Sequence, residues 1–241
     1  MMEFIDIHSH ILPGVDDGAR NMEETLKMAE IAYKEGIRTI FATSHYRPGR
    51  FACPKEKLRA KLSKTQEEIS RFFPELKLVQ GNEIYYGMEA LEAIQEKRIC
   101  TLAGSRYILV EFSVSSEFGF VRDGLYKIIL EGYRPVLAHV ERYHAVCKKL
   151  DQIAELLELG VGIQVNADSI TGESGYQLKQ ISRKLLKRDY VHFVATDAHS
   201  SRSRAPRMQA CASYLTRKYG EDYTKALMFQ NPLKIIWNEE L

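Results

Sequence analysis

The sequence predicts an α/β fold in which parallel strands alternate with helices and close into a barrel. Seven short apolar runs of strand length recur along the 241 residues, stretches with helical periodicity separate them, and every run ends in polar residues. Such alternation implies parallel pairing with right-handed crossovers. The length suits one barrel of this kind, and we expect residues 1–241 to form a single domain.

The first strand is followed by a helix with clear boundary signals. Asn21 is a candidate N-cap with Glu24 three residues later, and Gly36 stands just past the predicted end. The predicted strands are Phe4–His8, Arg38–Thr43, Leu76–Glu83, Tyr107–Phe112, Pro135–His139, Val161–Asn166 and His192–Asp197. Further helical patterns lie near Lys55–Phe72, Met88–Lys97, Phe120–Gly132, Leu150–Leu159, Tyr176–Lys187 and Pro206–Tyr219. Alternation in strand one predicts that Ile5 and Ile7 face the helices.

Charge and composition exclude several classes of protein. The 34 Lys and Arg residues against 32 Asp and Glu residues give a net charge of +2, which is too even for a protein that wraps nucleic acid. No apolar run approaches the ~18 residues of a membrane span, and no basic segment precedes an apolar one at the start. The four cysteines are widely spaced, as is typical of reduced thiols. We therefore expect a cytoplasmic protein with no nucleic-acid partner and no stable membrane insertion.

Histidines and carboxylates follow the predicted strands. His8 and His10, like Asp197 and His199, are two residues apart, so each pair can point to one side. In a βα barrel the carboxyl ends of the strands converge on the face that carries the active site. The candidate metal ligands are His8, His10, Asp17, His45, Glu83, Glu111, His139, Asp197 and His199.

This set of side chains has the chemistry of a metal centre. A single His or Glu at a strand end is usually a solvated rim residue, but so many carboxylates together would repel one another unless cations compensated. Mixed nitrogen and oxygen ligands without a thiolate favour Mn, Fe or Zn over Mg or Ca. Nine ligands suit two or three ions. Such clusters activate water and clamp the oxygens of a transferred phosphoryl group.

The opening segment Ile5–Ala19 resembles the PHP (polymerase and histidinol phosphatase) superfamily, specifically its bacterial protein-tyrosine phosphatase branch associated with capsule and exopolysaccharide synthesis. The resemblance implies a distorted (β/α)7 barrel, which is TIM-barrel-like, with a three-ion, often manganese-dependent site. It continues through Ala42–His45, Gly81–Glu83, Leu109–Phe112, Ala138–Tyr143, Gln164–Ser169 and Thr196–His199.

The resemblance also implies roles for individual residues. One ion would be held by His8, His10, Glu83 and Asp197, a second by Glu83, Glu111 and His139, and a third by Asp17, His45 and His199. Arg142 and Arg204 match arginines that bind substrate phosphate. Arg202 and Arg207 compete with Arg204 for that role, and Arg47 offers a further phosphate contact. Tyr46 stands where many relatives carry a second histidine.

The function that the resemblance implies is hydrolysis of phosphotyrosine by a metal-activated hydroxide, with a bacterial tyrosine kinase of polysaccharide synthesis as the substrate. A histidinol-phosphate phosphatase or other small-molecule phosphomonoesterase would share the metal site. A noncatalytic binding protein would be expected to have lost ligands, whereas all nine positions are filled.

A cysteine nucleophile is a different catalytic hypothesis. A Cys six residues before an Arg occurs at Cys53/Arg59, Cys100/Arg106 and Cys211/Arg217. That chemistry requires a strand-to-helix loop whose backbone N–H groups cradle phosphate. None of the three segments fits such a loop, so we expect the spacing to be coincidental.

Overall fold

Nine strands form a barrel of seven staves, where a stave is one strand position around the barrel. The second and third staves each consist of two short strands in succession. The computed structural model describes residues 3–241. The strands are β1 Phe4–Ser9, β2 Ile37–Ala42, β3 His45–Tyr46, β4 Lys77–Gln80, β5 Glu83–Tyr85, β6 Tyr107–Glu111, β7 Arg134–Leu137, β8 Gly162–Asn166 and β9 Phe193–Ala195. All pair in parallel, in the orders β1-β2-β4 and β3-β5-β6-β7-β8-β9.

Backbone hydrogen bonds join these two sheets into one barrel. Where β2 and β4 give way to β3 and β5, the N–H of Glu83 still donates to the carbonyl of Thr43 at 3.2 Å. On the other side, the N–H of Asp197 donates to the carbonyl of His8 and that of His10 to the carbonyl of Ala198, both at 2.8 Å. The last stave therefore lies beside the first. The prediction of a distorted (β/α)7 barrel is confirmed.

Helices fill the connections between the staves. Helix α1 begins as predicted, with the Asn21 side chain accepting a hydrogen bond from the N–H of Glu24 at 3.0 Å. The others are α2 Lys55–Ser70, α3 Met88–Gln95, α4 Phe118–Leu130, α5 His144–Cys147, α6 Leu150–Glu158, α7 Ala167–Thr171, α8 Tyr176–Lys187, α9 Gln209–Tyr219, α10 Glu221–Lys225 and α11 Asn231–Trp237, after α1 at Met22–Lys34. Within residues 3–241, none of these helices has the length and apolarity needed to cross a bilayer.

The barrel interior below the site is apolar. Ile5 and Ile7 of β1 are buried in one cluster with residues of other strands, among them Leu109 and Phe193. The prediction that Ile5 and Ile7 face the helices is therefore wrong. The register of β1 against β2 shifts between Asp6 and Ser9, and this irregularity breaks the alternation of side chains. As a result, Ile7 closes the core while His8 points into the site above it.

Candidate metal centre

All nine predicted ligands lie together at the carboxyl ends of the strands. Three overlapping groups place their candidate ligand atoms within 4.8 Å of one another. His139 joins them through Glu83, with 2.9 Å between its Nε2 and Oε1 of the carboxylate. The groups are His8, His10, Glu83 and Asp197; His10, Asp17, His45 and His199; and His45, Glu83 and Glu111.

The first group has the spacing of a coordination shell. Glu83 lies 3.2 Å from Nε2 of His8 through Oε1 and 3.2 Å from Nε2 of His10 through Oε2. Oδ1 of Asp197 lies 3.4 and 3.6 Å from the same two nitrogens. Ligand atoms around an ion with bonds of about 2.1 Å are about 3.0 Å apart in an octahedron and about 3.4 Å apart in a tetrahedron. These side chains therefore fit a divalent ion, and all four are buried.

His45 lies between the other two groups and faces each with a different ring nitrogen. Its Nδ1 is 3.0 Å from Oε2 of Glu83 and 3.3 Å from Oε1 of Glu111. Its Nε2 is 3.3 Å from Oδ1 of Asp17, which also faces Nε2 of His199 at 3.6 Å. Glu83 is thus surrounded by the imidazoles of His45 and of three other histidines, namely His8, His10 and His139. This is the geometry expected of a bridging carboxylate.

Several imidazoles are oriented by a hydrogen bond at their second nitrogen. Nδ1 of His10 lies 2.8 Å from Oδ2 of Asp16, and Nδ1 of His199 lies 2.9 Å from the carbonyl oxygen of Asp197. Because both partners are acceptors, they favour hydrogen on Nδ1 and leave Nε2 free for an ion. Asp16 was not predicted as a functional residue. Its only signal in the sequence is its position beside Asp17.

Charge within the metal-free cluster is balanced by protons. Burial raises the pKa of the Glu83 carboxyl, but the nearby imidazoles, first among them His8, hold it well below its usual range. Burial lowers the pKa of His10, but the Asp16 carboxylate and a hydrogen bond to Glu83 raise it to about 9. Glu83 is therefore ionised at neutral pH, and the imidazoles of His10 and His45 are protonated. Metal ions that bind here replace these protons.

Both predicted phosphate-binding arginines lie on the outer oxygen of Asp197. Arg142 Nη1 and Arg204 Nη2 are 3.0 and 2.7 Å from Oδ2. Arg47 instead stacks over the ring of Tyr85, 3.9 Å from its centroid. The competing arginines Arg202 and Arg207 are exposed.

The residue that replaces the second histidine is packed into the protein. Tyr46 is buried, and its hydroxyl accepts a hydrogen bond from Nη1 of Arg98 at 3.0 Å. The tyrosine therefore has a structural partner of its own.

Three cysteines lack the character of nucleophiles. Burial raises the pKa of Cys100 to about 11 and that of Cys147 to about 12, and it raises the pKa of the Cys211 thiol further still. Since the thiolate is the reactive form, these thiols are poorly suited to attack phosphorus. Cys211 also lies within α9, as the sequence predicted, and not in a phosphate-binding loop.

A TIM-barrel-like fold with histidines and carboxylates converging at the carboxyl ends of its strands defines a class of metal-dependent hydrolases. Within this class, the chain belongs to the CpsB/CapC family of capsular polysaccharide synthesis, whose sequence pattern matches residues 4–237. The resemblance to the capsule-associated branch of the PHP superfamily is thereby confirmed.

Relatives in this family have been named for their activity. Tyrosine-protein phosphatase CpsB of Streptococcus pneumoniae is 39% identical over 240 residues, which cover 98% of this chain and 99% of the relative. Tyrosine-protein phosphatase YwqE of Bacillus subtilis is 32% identical over 218 residues, or 90% and 86% of the two chains.

Solved structures agree with this assignment. A structure from work on YwqE of B. subtilis and CpsB of S. pneumoniae, described as unique metal-dependent tyrosine phosphatases, has a TM-score of 0.91 at 30% identity and covers 98% of this chain and 96% of that one. Histidinol phosphate phosphatase of Lactococcus lactis has a TM-score of 0.58 at 14% identity, covering 91% and 95%, and shares the fold.

Proposed function

We propose that this chain is a metal-dependent protein-tyrosine phosphatase. The observation that carries the proposal is the set of nine ligand side chains gathered around Glu83, with two arginines at its edge. The relatives named as tyrosine-protein phosphatases, which match nearly the whole chain, support the same activity. A binding protein without activity would have no need of so complete a ligand set.

The proposed ligands divide among three ions. His8, His10, Glu83 and Asp197 would hold one, Glu83, Glu111 and His139 would hold the second, and Asp17, His45 and His199 would hold the third, with His10 and His45 each near two ions. We propose Mn²⁺ as the metal, since nitrogen and oxygen ligands are mixed. Bound divalent ions polarise phosphoryl oxygens and supply a nucleophile from water at neutral pH.

The chain's own residues bind and orient the phosphate. Arg142 and Arg204 both form ion pairs with one carboxylate oxygen of Asp197. A planar guanidinium group fits phosphate oxygens equally well. Both side chains are partly exposed, so they can turn from Asp197 towards an incoming phosphate. There they neutralise the charge that develops on the phosphoryl oxygens.

The substrate's leaving group would lie beside Arg142. A cavity of about 580 Å³ there is lined chiefly by apolar groups, including Val114, Ala145 and Leu178. An aromatic ring attached to a phosphate held by Arg142 fits this setting, and a phenolate leaves more readily than an alkoxide.

We propose a tyrosine kinase of capsule or exopolysaccharide synthesis as the substrate. We also propose that residues 1–241 form a single phosphatase domain, which acts in the cytoplasm.

The proposal is tested by elemental analysis paired with turnover of p-nitrophenyl phosphate and a phosphotyrosine peptide before and after chelation. We expect two or three ions per chain, and activity that chelation abolishes and Mn²⁺ restores. Cys53→Ser, Cys100→Ser and Cys211→Ser should keep their activity. Metal-free protein whose activity resists chelation and requires a cysteine would contradict the mechanism. Preference for histidinol phosphate over phosphotyrosine would favour a small-molecule phosphatase.

A further inference from the structure

A chain of buried amides connects two candidate metal ligands. Oε1 of Gln164, in β8, accepts a hydrogen bond from the backbone N–H of His139 at 2.9 Å. Because a backbone N–H can only donate, this contact fixes which end of the Gln164 amide is the oxygen. The same oxygen lies 3.1 Å from Nδ1 of His8, so that nitrogen carries the hydrogen. Nε2 of His8, which faces Glu83, is then the nitrogen left to bind an ion.

The orientation of Gln164 sets that of Asn166. Nε2 of Gln164 donates to Oδ1 of Asn166 at 2.8 Å, and Nδ2 of Asn166 donates to Oδ2 of Asp197 at 3.1 Å. The backbone N–H of Asn166 is itself held by Oε1 of Glu141 at 3.0 Å. Both amides are fully buried, so water does not compete for these bonds. The donors point in one direction, from Gln164 towards Asp197.

We propose that Gln164 and Asn166 are positioning residues, which fix the tautomer of His8 and the orientation of Asp197 for metal binding although neither is itself a ligand. The inference rests on the metal centre of the proposed function. With Oδ2 of Asp197 bound by Asn166, Oδ1 faces Nε2 of His8 at 3.4 Å. The amide pair therefore prepares a nitrogen and an oxygen of one coordination shell before any ion arrives.

Asn166, Arg142 and Arg204 all contact Oδ2 of Asp197, but the amide and the two arginines have different roles. The side chains of Arg142 and Arg204 are 28% and 39% exposed and can leave Asp197 for a substrate phosphate. Asn166 is buried and has no such alternative partner. When the arginines turn away, the Asn166 amide stays on Oδ2 and keeps Asp197 oriented through turnover.

The test measures Mn²⁺ affinity by calorimetry on metal-depleted protein. Gln164→Leu and Asn166→Leu should each weaken Mn²⁺ binding about 10- to 100-fold, as is usual when a partner of a metal ligand is lost. Gln66→Leu is the matched control. That amide also bridges backbone groups, at the carbonyl of Leu76 and the N–H of Leu78, but it lies between α2 and β4. It should leave Mn²⁺ affinity unchanged, and circular-dichroism melting shows which variants are folded.

A double variant tests whether Gln164 and Asn166 act through one another, which we call a relay, or affect Mn²⁺ binding separately. If the amides act through one another, Gln164→Leu with Asn166→Leu should lose no more affinity than the more affected single variant. Should a Leu variant fail to fold, Gln164→Glu serves in its place. Its carboxylate still accepts from His139 but draws the Asn166 N–H groups away from Asp197, so Mn²⁺ affinity should again fall about 10-fold or more.

Two negative results have different meanings. If the wild-type protein binds Mn²⁺ and the Gln164 and Asn166 variants bind it equally well, the positioning role of the two amides is overturned and the metal centre is not. Losses in the two single variants that simply add would overturn the action of one amide through the other. Wild-type protein that binds no Mn²⁺ would overturn the metal centre, and with it the role assigned to both amides.

Discussion

His10 and His45 make the stability of the metal-free protein depend on pH. Against burial, Asp16 and Glu83 raise the pKa of His10 to about 9, and the nearby carboxylates of Glu111 and Glu83 raise that of His45 to about 11. In the unfolded chain both have a pKa near 6.5. The folded state therefore holds these protons more tightly. That stabilisation is complete below about pH 6.5 and is lost as the pH rises through 9 towards 11.

We accordingly expect the melting temperature of chelated protein, followed by circular dichroism, to fall from pH 6.5 to pH 9. The Asp16 carboxyl, whose pKa its neighbours lower to about 2, contributes only to losses below about pH 4 and leaves this window unaffected. His10→Gln should flatten the slope. Mn²⁺ affinity should rise over the same window, because the ion displaces protons. A metal-free melting temperature that climbs between pH 6.5 and 9 would show that the assigned protonation is wrong.

At the scale of single residues, the sequence predicted the ligand types and missed their partners. Asp197 and Glu83 were identifiable as candidates because histidines and carboxylates follow several strands that end on one face of the barrel. Asp16 and Gln164 were not, because their importance depends on which imidazole nitrogen they face. Sequence spacing carries no information on that choice.

Among the elements, the turn after β1 is sensitive to a small change in sequence. A Cβ added to Gly18 would lie 2.2 Å from the carbonyl oxygen of His10 and 2.4 Å from its Cβ. Gly18→Ala should therefore push the turn that carries Asp16 and Asp17 away from β1. We expect a loss of at least about 1–3 kcal/mol in the free energy of unfolding, and weaker Mn²⁺ binding.

The control for this change is Gly119→Ala, in the first turn of α4. An added Cβ there meets no atom within 4 Å, so the helix should be as stable or slightly more stable. Urea denaturation and calorimetry compare the two variants. Equal stability and equal Mn²⁺ affinity would mean that the turn is free to move, contrary to its packing on His10.

Local backbone irregularities explain where the prediction of elements failed. Strict alternation misplaced Ile5 and Ile7, because β1 changes register before Ser9. The backbone of His139 and of Asp197 has positive φ angles of 35° and 53°, which residues other than glycine rarely adopt. Such strain is characteristic of functional sites, where surrounding contacts hold it in place. A pattern of apolar and polar residues does not reveal it.

At the scale of the whole molecule, bound metal should stabilise the folded barrel against unfolding. Candidate ligands on β1, β5 and the segment after β9 come from distant parts of the chain. Mn²⁺ at a hundred times its dissociation constant should stabilise the fold by about 2.7 kcal/mol and raise the melting temperature by roughly 5 to 10 °C. Ca²⁺, which prefers oxygen ligands, should raise it less. No shift with Mn²⁺ would contradict a centre that spans the barrel.

The barrel itself was predictable from seven strand-length runs, whereas the segment that completes it was not. Residues 221–237 form α10, a π-helical turn at Ala226–Gln230 and α11 with Pro232 near its start. This sequence of irregular turns has no single helical period to detect. Ile235 of α11 nevertheless packs against the interior cluster around Ile5.

The closure of the last stave on the first has a consequence for the order of events during synthesis. His8 and His10 leave the ribosome long before Asp197 and His199. A growing polypeptide therefore carries three candidate ligands of the first group, His8, His10 and Glu83, before the fourth, Asp197, exists. Full metal capture at this group then waits until the segment after β9 has reached β1.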